Sequence, residues 1–520
     1  MILQNAKIYT FDQSNPFVNA MAIKDNKIVA VGDFEKISLE FSNEKTVDLK
    51  GKTVVPGFFD AHAHVWKIGD LLTFNLDLRD AKSIKEIQSL LLEFSKKNPD
   101  LKWIRARGFN EANLKEGRLP TREDIDEIIS DKPVFLQRTC AHIATINSCA
   151  LKLCNITNVT RIPFGGVIDF DNEGHPNGIL RETALGLAMK HFPKFTEDDY
   201  EKMILAASNE FVKHGVTSVS DPAVMPDLLK VYIKLEKEGK LPIRIHAFPI
   251  VIPDGDSKAL PIPDMYISEK LVINTVKFFA DGGLSGQTAA LSRKYKNADS
   301  TGILRLDKQV FFEAAKKAQK KGFQIATHAI GDVAIELVLD VYKELYKIDP
   351  KAPKHRIEHL GLPTMSQLDQ IKEMGLHIVT QPIFLKELSK NFTQSLDNDY
   401  LDFCYPFKSM LERGINVSFS TDAPVVKDIR PLSCMETAVT RKDFDENMIA
   451  QKERIKKKEA FYCYTMGSAL ASRVDHKQGS ITKGKSADFI ILDRSPFDEG
   501  VDPLTDLKIE KVFCNGVQVF

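Results

Sequence analysis

Two histidines separated by one residue, His62 and His64, follow the apolar segment VVPGFFDA at residues 54–61. In extended backbone, residues two apart project their side chains to the same side. Both imidazoles can therefore reach one metal ion, and zinc and its neighbours accept imidazole readily. An H-x-H pair alone is weak evidence, because such pairs also occur in cores and on surfaces. Its position at the end of an apolar strand, after Pro56-Gly57, favours a metal site.

Further candidate metal ligands lie at the ends of other predicted strands. Lys277 lies within the apolar run VKFF at residues 276–279, where a buried ammonium is costly without a partner. If parallel strands converge on one edge, all these groups lie within a few ångströms of one another. The predicted metal-binding residues are His62, His64, Lys277, His328, His359 and Asp422.

The middle of the chain alternates apolar strands with helical patterns, which is typical of parallel βα units. Eight candidate strands with intervening helices match the (β/α)8 TIM barrel, an α/β fold in which active sites lie at the C-terminal face. The predicted strands are 53–62, 215–221, 243–251, 273–281, 323–329, 355–361, 377–383 and 416–423.

Both ends of the chain are rich in short alternating strands, so we expect residues 1–55 and 475–520 to form one small β-sandwich domain. The barrel would comprise residues 56–67 and 201–474. A connection of roughly 150 residues separates the first two barrel strands, far more than a simple βα loop needs. We therefore predict an inserted subdomain at residues 68–200 that leaves the barrel after His64 and covers the active-site face as a lid.

The bulk composition excludes several classes of protein. The 520 residues include 71 Lys plus Arg and 71 Asp plus Glu, a balance that argues against a general nucleic-acid-binding protein. The sequence shows neither a secretory signal nor an apolar stretch long enough to span a membrane. Its seven cysteines are scattered, which favours a reducing cytoplasm. We expect a cytoplasmic protein with a small-molecule substrate, and homo-oligomerisation stays open.

The order H-x-H, Lys, His, His, Asp resembles the amidohydrolase superfamily, and the details resemble amidohydrolase family 3 and its YtcJ-like branch. The resemblance covers essentially the whole chain. It rests on the stretches VVPGFFDAHAH, WIRARGFNE, PVFLQRTCAHIATINSCAL, GILRETA, HGVTSVSD, VKFFADGGLSGQTAAL, ATHAIGD, RIEHLG, TQPIF, FSTDAPV and GSITKGKSADFIILD.

The resemblance implies how the metal ligands are shared. His62, His64 and Asp422 would hold one divalent ion, and His328 and His359 a second. Lys277 would bridge the two as a carboxylated side chain. A carbamate replaces a buried cation with a two-oxygen anion that suits two ions about 3.5–4 Å apart. We expect zinc, with one or two ions per chain.

The function that follows is hydrolysis of a non-peptide C–N bond, most readily an amide-type bond of a small molecule. Metal ions activate water near neutral pH, and Asp422 is placed to act as the proton shuttle. An ester, lactone or phosphoester hydrolase at the same centre is the alternative within enzymes. A non-catalytic binding or regulatory protein on the same scaffold is a second alternative, which the complete set of ligands disfavours.

Substrate contacts are expected from the insertion and from other strand ends. Candidates in the insertion are Arg138, His142 and Asn147, with His142 also a catalytic candidate that polarises the carbonyl. Glu182 and Gln381 are weaker candidates, and Asp332 and Glu358 are expected to orient histidines. The sequence departs from the branch pattern at Gly108-Phe109-Asn110, Cys140-Ala141-His142 and Asp281-Gly282-Gly283-Leu284, which puts the substrate in doubt rather than the metal site.

Overall fold

The computed structural model describes residues 1–253 and 259–520, and its centre consists of two five-stranded sheets. Eight strands, here called core strands one to eight, pair in parallel with their sequence neighbours within these sheets. Core strands one to three are Phe58–Asp60, Val216–Val224 and Arg244–Pro249. Core strands four to eight are Thr275–Phe279, Gln324–Ala329, Arg356–His359, His377–Thr380 and Asn416–Phe419. Strands Leu271–Ile273 and Tyr266–Ile267 extend the first sheet beyond core strand three.

Backbone hydrogen bonds join the two sheets at both of their edges. The Ala61 amide donates to the Phe419 carbonyl at 3.3 Å, so core strands one and eight are linked. At the other edge the Val251 amide donates to the Lys277 carbonyl at 3.2 Å, beside a parallel bridge between Ile250 and Lys277. The eight core strands therefore follow one another in chain order around the centre of the molecule.

Amphipathic helices cover the outside of the core strands. Asp332–Ile348, between core strands five and six, buries the face that carries Ile335, Val338, Leu339 and Tyr342. The others beside core strands are Pro226–Lys237, Lys308–Lys320, Met365–Met374, Phe384–Glu387, Ser389–Ser395, Asn398–Leu401, Phe407–Glu412, Pro431–Thr440, Lys457–Cys463 and Met466–Ala471. None of the helices in the described part of the chain combines the length and apolar composition needed to cross a bilayer.

The two ends of the chain build a pair of sheets. The first contains, in order, Lys27–Gly32, Ala20–Lys24, Ile2–Gln4 and Thr46–Asp48, with helix Phe34–Glu40 beside it. The second contains Val517–Gln518, Ile509–Cys514, Phe489–Leu492, Thr53–Pro56, Lys7–Tyr9 and Phe17–Val18. Buried apolar side chains from both sheets, among them Met21 and Phe489, share one cluster.

The predicted strand at 53–62 is two strands in the structure. Thr53–Pro56 pairs antiparallel with Phe489–Leu492 in the terminal sheet, whereas Phe58–Asp60 is core strand one. Only Gly57 lies between them, and a Cβ atom there would fall 2.3 Å from Thr217 Oγ1. The change of sheet occurs within one residue because glycine lets the backbone approach core strand two.

The long connection after core strand one forms a six-stranded sheet. In order, its strands are Gly166–Phe170, Pro176–Glu182, Ile143–Ile146, Val134–Arg138, Ile104–Phe109 and Leu76–Asp77. Its helices are Ile84–Lys97, Arg122–Asp126, Ser148–Leu153 and Gly186–Met189.

Two helices join this sheet to the core strands. Val65–Thr73 and Glu197–Lys213 run across the boundaries expected at 67/68 and 200/201. They are in close contact, because a Cβ atom on Gly69 would lie 2.0 Å from the Met203 carbonyl oxygen. The inserted sheet is therefore joined to the core strands through these two packed helices. Their composition does not change at the expected boundaries, so the sequence carries no marker there.

Candidate metal centre and substrate pocket

Asp60 holds the His62–His64 segment against the end of core strand eight. Its buried carboxylate accepts hydrogen bonds from the His62 amide and, at 2.7 Å, from the Thr421 hydroxyl. The Asp422 amide donates to the His62 carbonyl at 2.8 Å, and the His64 amide donates to the Ala423 carbonyl at 2.9 Å. These bonds place the H-x-H pair and Asp422 side by side, as the sequence predicts.

The structure brings together the side chains expected to bind metal. One ligand atom from each of His62, His359 and Asp422 lies within 4.8 Å of the others, and all three residues are buried. His64 Nε2 is 3.3 Å from Asp422 Oδ1, and the ring centroid of His328 is 4.4 Å from that of His359. Five of the six predicted ligands therefore form one cluster at the C-terminal ends of the core strands.

Hydrogen bonds fix the orientation of these imidazoles. His62 Nδ1 lies 2.5 Å from Glu358 Oε2, and His359 Nδ1 lies 2.8 Å from Gln381 Oε1. His64 Nδ1 contacts the Pro222 carbonyl at 3.2 Å. Burial holds the pKa values of all three histidines well below the usual range, so the rings are neutral. A neutral ring that donates through Nδ1 offers its Nε2 lone pair to a metal.

Two buried polar atoms in the cluster have no hydrogen-bond partner among the described residues. Asp422 Oδ1 lies 3.4 Å from His62 Nε2 but accepts no hydrogen bond. Lys277 Nζ is fully buried, makes no hydrogen bond, and stands 4.7 Å from the centre of the Phe279 ring. Burial raises the pKa of Asp422 and lowers that of Lys277. Unsatisfied buried donors and acceptors are costly, and neutral imidazoles with a free carboxylate oxygen suit a divalent cation.

The expected carboxylate partners of the histidines are confirmed in one case and wrong in the other. Glu358 contacts His62 and is itself paired with Arg356, whose Nε lies 2.5 Å from Glu358 Oε1. Asp332 contacts no histidine; at the start of its helix, it accepts a hydrogen bond from the Ser292 amide at 2.9 Å. Asp281 takes the position beside a histidine, with its Oδ1 3.3 Å from His328 Nε2.

A cavity of about 570 Å³ opens above the cluster, between the ends of the core strands and the inserted sheet. His142 lines it beside His328, and its Nδ1 lies 2.8 Å from Glu182 Oε2. Burial alone would lower the pKa of His142, but the Glu182 carboxylate outweighs this and the pKa is raised. The same pair lowers the pKa of Glu182 to about 2 against the effect of burial. His142 and Glu182 thus form a hydrogen-bonded pair that faces the cavity.

Three residues expected to contact substrate do not line the cavity. Arg138 is fully buried and binds Glu111 through Nε at 2.6 Å. Asn147 caps helix Ser148–Leu153, and its side chain also donates to two carbonyls, because a buried amide needs all its partners. The side-chain carbonyl of Gln381 contacts His359 Nδ1, and its side-chain amide donates to the Ser420 hydroxyl at 2.8 Å. Their burial and their hydrogen bonds to neighbouring residues indicate that they support the site and do not contact substrate.

None of the lysines and arginines that line the cavity was predicted from the sequence, and Lys67 and Arg107 are two of them. Lys67 follows His64 by one helical turn, and burial together with the charge of Arg107 lowers its pKa to about 8. Arg107 is 4% exposed on the inserted strand Ile104–Phe109, and burial lowers its pKa to about 10. Lys67 could have been predicted to lie near the metal site, because it follows the H-x-H pair by about one helical turn. Nothing in the sequence indicated that Arg107 points at the metal ligands.

Comparison with known proteins identifies relatives along the whole chain. The sequence profile of the Amidohydrolase family matches residues 45–520. The putative amidohydrolase YtcJ of Bacillus subtilis is 29% identical over 99% of this chain and 98% of its own length. Protein LONG AFTER FAR-RED 3 of Arabidopsis thaliana is 30% identical, over 96% of this chain and 88% of that protein. The N-substituted formamide deformylase of Arthrobacter pascens is 27% identical over 99% and 97% of the two chains.

Solved structures give the same picture. An uncharacterized metal-dependent hydrolase from Pyrococcus horikoshii superposes with a TM-score of 0.77 at 30% identity and covers 95% of this chain and 97% of its own. A triazine hydrolase variant superposes with a TM-score of 0.57 over 99% of this chain and 94% of its own. At 14% identity this second likeness concerns the fold alone.

Proposed function

The chain belongs to the amidohydrolase family and is a metal-dependent hydrolase, and from this premise we propose that it cleaves an amide-type C–N bond of a small molecule. The observation that supports the proposal most directly is the cluster of neutral imidazoles around the Asp422 carboxylate, which opens into the cavity. The relative named as an N-substituted formamide deformylase supports the choice of bond.

We assign His62, His64, His328, His359 and Asp422 as metal ligands. When bound, a divalent metal such as zinc would supply a Lewis acid and lower the pKa of water. Lys277 is the remaining ligand of the proposal. As a carbamate it would replace an ammonium that makes no hydrogen bond with an anion that satisfies its surroundings. We propose one or two ions per chain.

Asp422 is the proposed proton carrier of the reaction. Its Oδ1 is buried and accepts no hydrogen bond, and burial raises its pKa toward neutrality. A carboxyl group with such a pKa can take a proton from attacking water and return it to the leaving nitrogen. His142, held by Glu182, is placed to donate a hydrogen bond to the substrate carbonyl oxygen.

The proposal includes the arrangement expected from the sequence. We take the eight core strands to form a (β/α)8 barrel, the paired terminal sheets a β-sandwich, and the inserted sheet a lid that shapes specificity. The chain-order strand pairing, the bonds at both sheet edges and the inserted residues that line the cavity support these assignments. A cytoplasmic location remains an expectation. Ester or lactone hydrolysis at the same residues is the alternative activity, whereas family membership does not favour a regulatory role.

The experiment that tests the proposal combines metal analysis with a substrate panel. Purified protein is loaded with zinc and assayed against N-formyl and N-acetyl amines and matched esters. We expect bound divalent metal and faster hydrolysis of the amides, and loss of both metal and activity in a His62→Ala, His64→Ala variant. Undiminished metal in that variant would contradict the ligand assignment. Hydrolysis of the esters alone would contradict the choice of bond.

A further inference from the structure

Among the residues that the structure describes, those lining the cavity above the metal centre include more cationic than acidic side chains, whereas the sequence as a whole is balanced. Five cationic side chains line it: Lys67, Arg105, Arg107, Lys190 and Arg305. Three acidic side chains line it: Asp70, Glu182 and Asp422. The full sequence has equal numbers of basic and acidic residues, 71 of each, so the imbalance belongs to the cavity.

The acidic residues of the cavity are already engaged. Asp70 Oδ1 lies 2.9 Å from Arg105 Nη2, and Glu182 is paired with His142. Asp422 faces His62 and His64 within the metal cluster. Each of these three carboxylates therefore already has a basic or imidazole group beside it.

Among the described residues, neither Lys67 nor Arg107 has a carboxylate at ion-pair distance. In the described part of the chain the Lys67 ammonium makes no hydrogen bond and contacts only the Trp66 ring, 5.8 Å from its centre. Arg107 donates to Gln137 Oε1 at 3.1 Å and more weakly to the Thr139 carbonyl, while its buried Nε has no partner. Both side chains line the same cavity as the metal ligand His64.

Two like charges held near each other without a counter-ion are unfavourable in a buried site unless a ligand supplies the opposite charge. Arginine and lysine are the side chains that bind carboxylates through charge-assisted hydrogen bonds. The lining of the cavity also includes the aromatic side chains Phe135, Phe192, Phe195, Phe384 and Phe392. The cavity therefore offers both an anion site beside the metal ligands and aromatic surface for an apolar group.

We infer that the substrate is an acidic amide: it carries a carboxylate a few atoms from the scissile C–N bond, bound by Lys67 and Arg107, and an apolar or aromatic group that fills the remaining cavity. This inference rests on the proposed amide hydrolysis and names the substrate class of the same site. Lys67 and Arg107 act in it as specificity-determining residues that orient the bond over the metal centre.

The test compares two amides that differ only in the carboxylate. Racemic N-acetylphenylalanine and N-acetylphenethylamine share the acyl group, the amide and the aromatic ring. They are assayed with the zinc-loaded full chain and its Lys67→Met, Lys67→Arg and Lys343→Met variants, with metal content measured in each. Lys343 is exposed on helix Asp332–Ile348 and controls for loss of a charge. Because Lys67 has no ion pair to lose, its replacement by methionine should not destabilise the fold.

We expect the wild type to favour the acid by at least about tenfold in kcat/KM, the scale of one charged hydrogen bond. Lys67→Met should lower kcat/KM for the acid by about 10- to 100-fold and leave the neutral amide within about threefold. Lys67→Arg should keep most of the preference, and Lys343→Met all of it. Equal rates for both amides in the wild type, or an equal loss for both in Lys67→Met, would overturn the inference.

A binding measurement separates this inference from the proposed activity. If neither amide is cleaved, amide hydrolysis of these probes fails, and isothermal titration of phenylacetate and 2-phenylethanol decides the anion site. Phenylacetate should bind more tightly than the alcohol, and its Kd should rise at least about tenfold in Lys67→Met but not in Lys343→Met. An unchanged Kd for phenylacetate in Lys67→Met would refute the carboxylate site whatever the activity.

Discussion

Replacing Glu358 by glutamine should affect stability and metal binding separately. Glu358 and Arg356 are both fully buried, and Glu358 contacts Arg356 through both oxygens and His62 through one. Glu358→Gln leaves the guanidinium of Arg356 without a counter-charge. Removing one partner of a buried ion pair costs about 3–5 kcal/mol of unfolding free energy. The loss of the carboxylate behind a metal-binding imidazole should weaken metal affinity by about 10- to 100-fold.

Two assays distinguish these effects. Urea denaturation of the metal-free protein, followed by circular dichroism, measures the free energy of unfolding without the metal. Competition with a zinc chelator measures metal affinity. In the double variant Arg356→Met, Glu358→Gln the unpaired charge is gone, so stability should recover while metal affinity stays low. A loss below about 1 kcal/mol in metal-free Glu358→Gln, or full recovery of metal affinity in the double variant, would refute the reasoning.

Three further predictions concern single residues. Gly69→Ala should lower the unfolding free energy by about 1–3 kcal/mol in the same urea assay, because its Cβ would fall 2.0 Å from the Met203 carbonyl oxygen. An unchanged urea midpoint would show that helices Val65–Thr73 and Glu197–Lys213 can move apart without loss of stability. Asp422→Asn should lower kcat by at least about 10²-fold once metal occupancy is matched by elemental analysis, and a normal kcat in the fully loaded variant would assign proton transfer to another group. Lys277→Ala should lose activity and be partly restored by short carboxylic acids, and a bare ammonium beside two bound metals in a high-resolution crystal structure would contradict the carbamate.

The mixed α/β fold and the family were predictable because their signals are local. Alternating apolar strands and amphipathic helices predict the core strands, and each predicted segment contains at least part of an observed strand. The split at Gly57 was not predictable. A run of apolar residues looks the same whether it belongs to one buried strand or to two strands in different sheets. The boundaries expected at 67/68 and 200/201 remain a prediction, and continuous amphipathic helices cross both positions.

The metal cluster was predicted more accurately than the residues around the substrate pocket. His62, His359 and Asp422 follow core strands, so the position along the strand places them at one edge. Residues of the inserted sheet have no such rule. Arg138 and Asn147 lie in the same strand-and-turn segment of the inserted sheet as His142. Of the three, only His142 lines the cavity, because the side chains of Arg138 and Asn147 make buried hydrogen bonds elsewhere. Whether such a side chain lines the cavity depends on its burial and on strand pairing within the sheet, and both depend on residues far away in the sequence.

The pairing of Thr53–Pro56 with Phe489–Leu492 has a consequence for how the enzyme is made. The strand partner on one side of Thr53–Pro56 is synthesised more than 400 residues after it. Gly57 alone separates that strand from core strand one, which carries the H-x-H pair at its end. During synthesis, the strand before the metal-binding segment therefore lacks one of its pairing partners until the last part of the chain has emerged from the ribosome. A ribosome-bound chain that stops before residue 489 should lack a fully formed metal centre, whatever the state of its other strands.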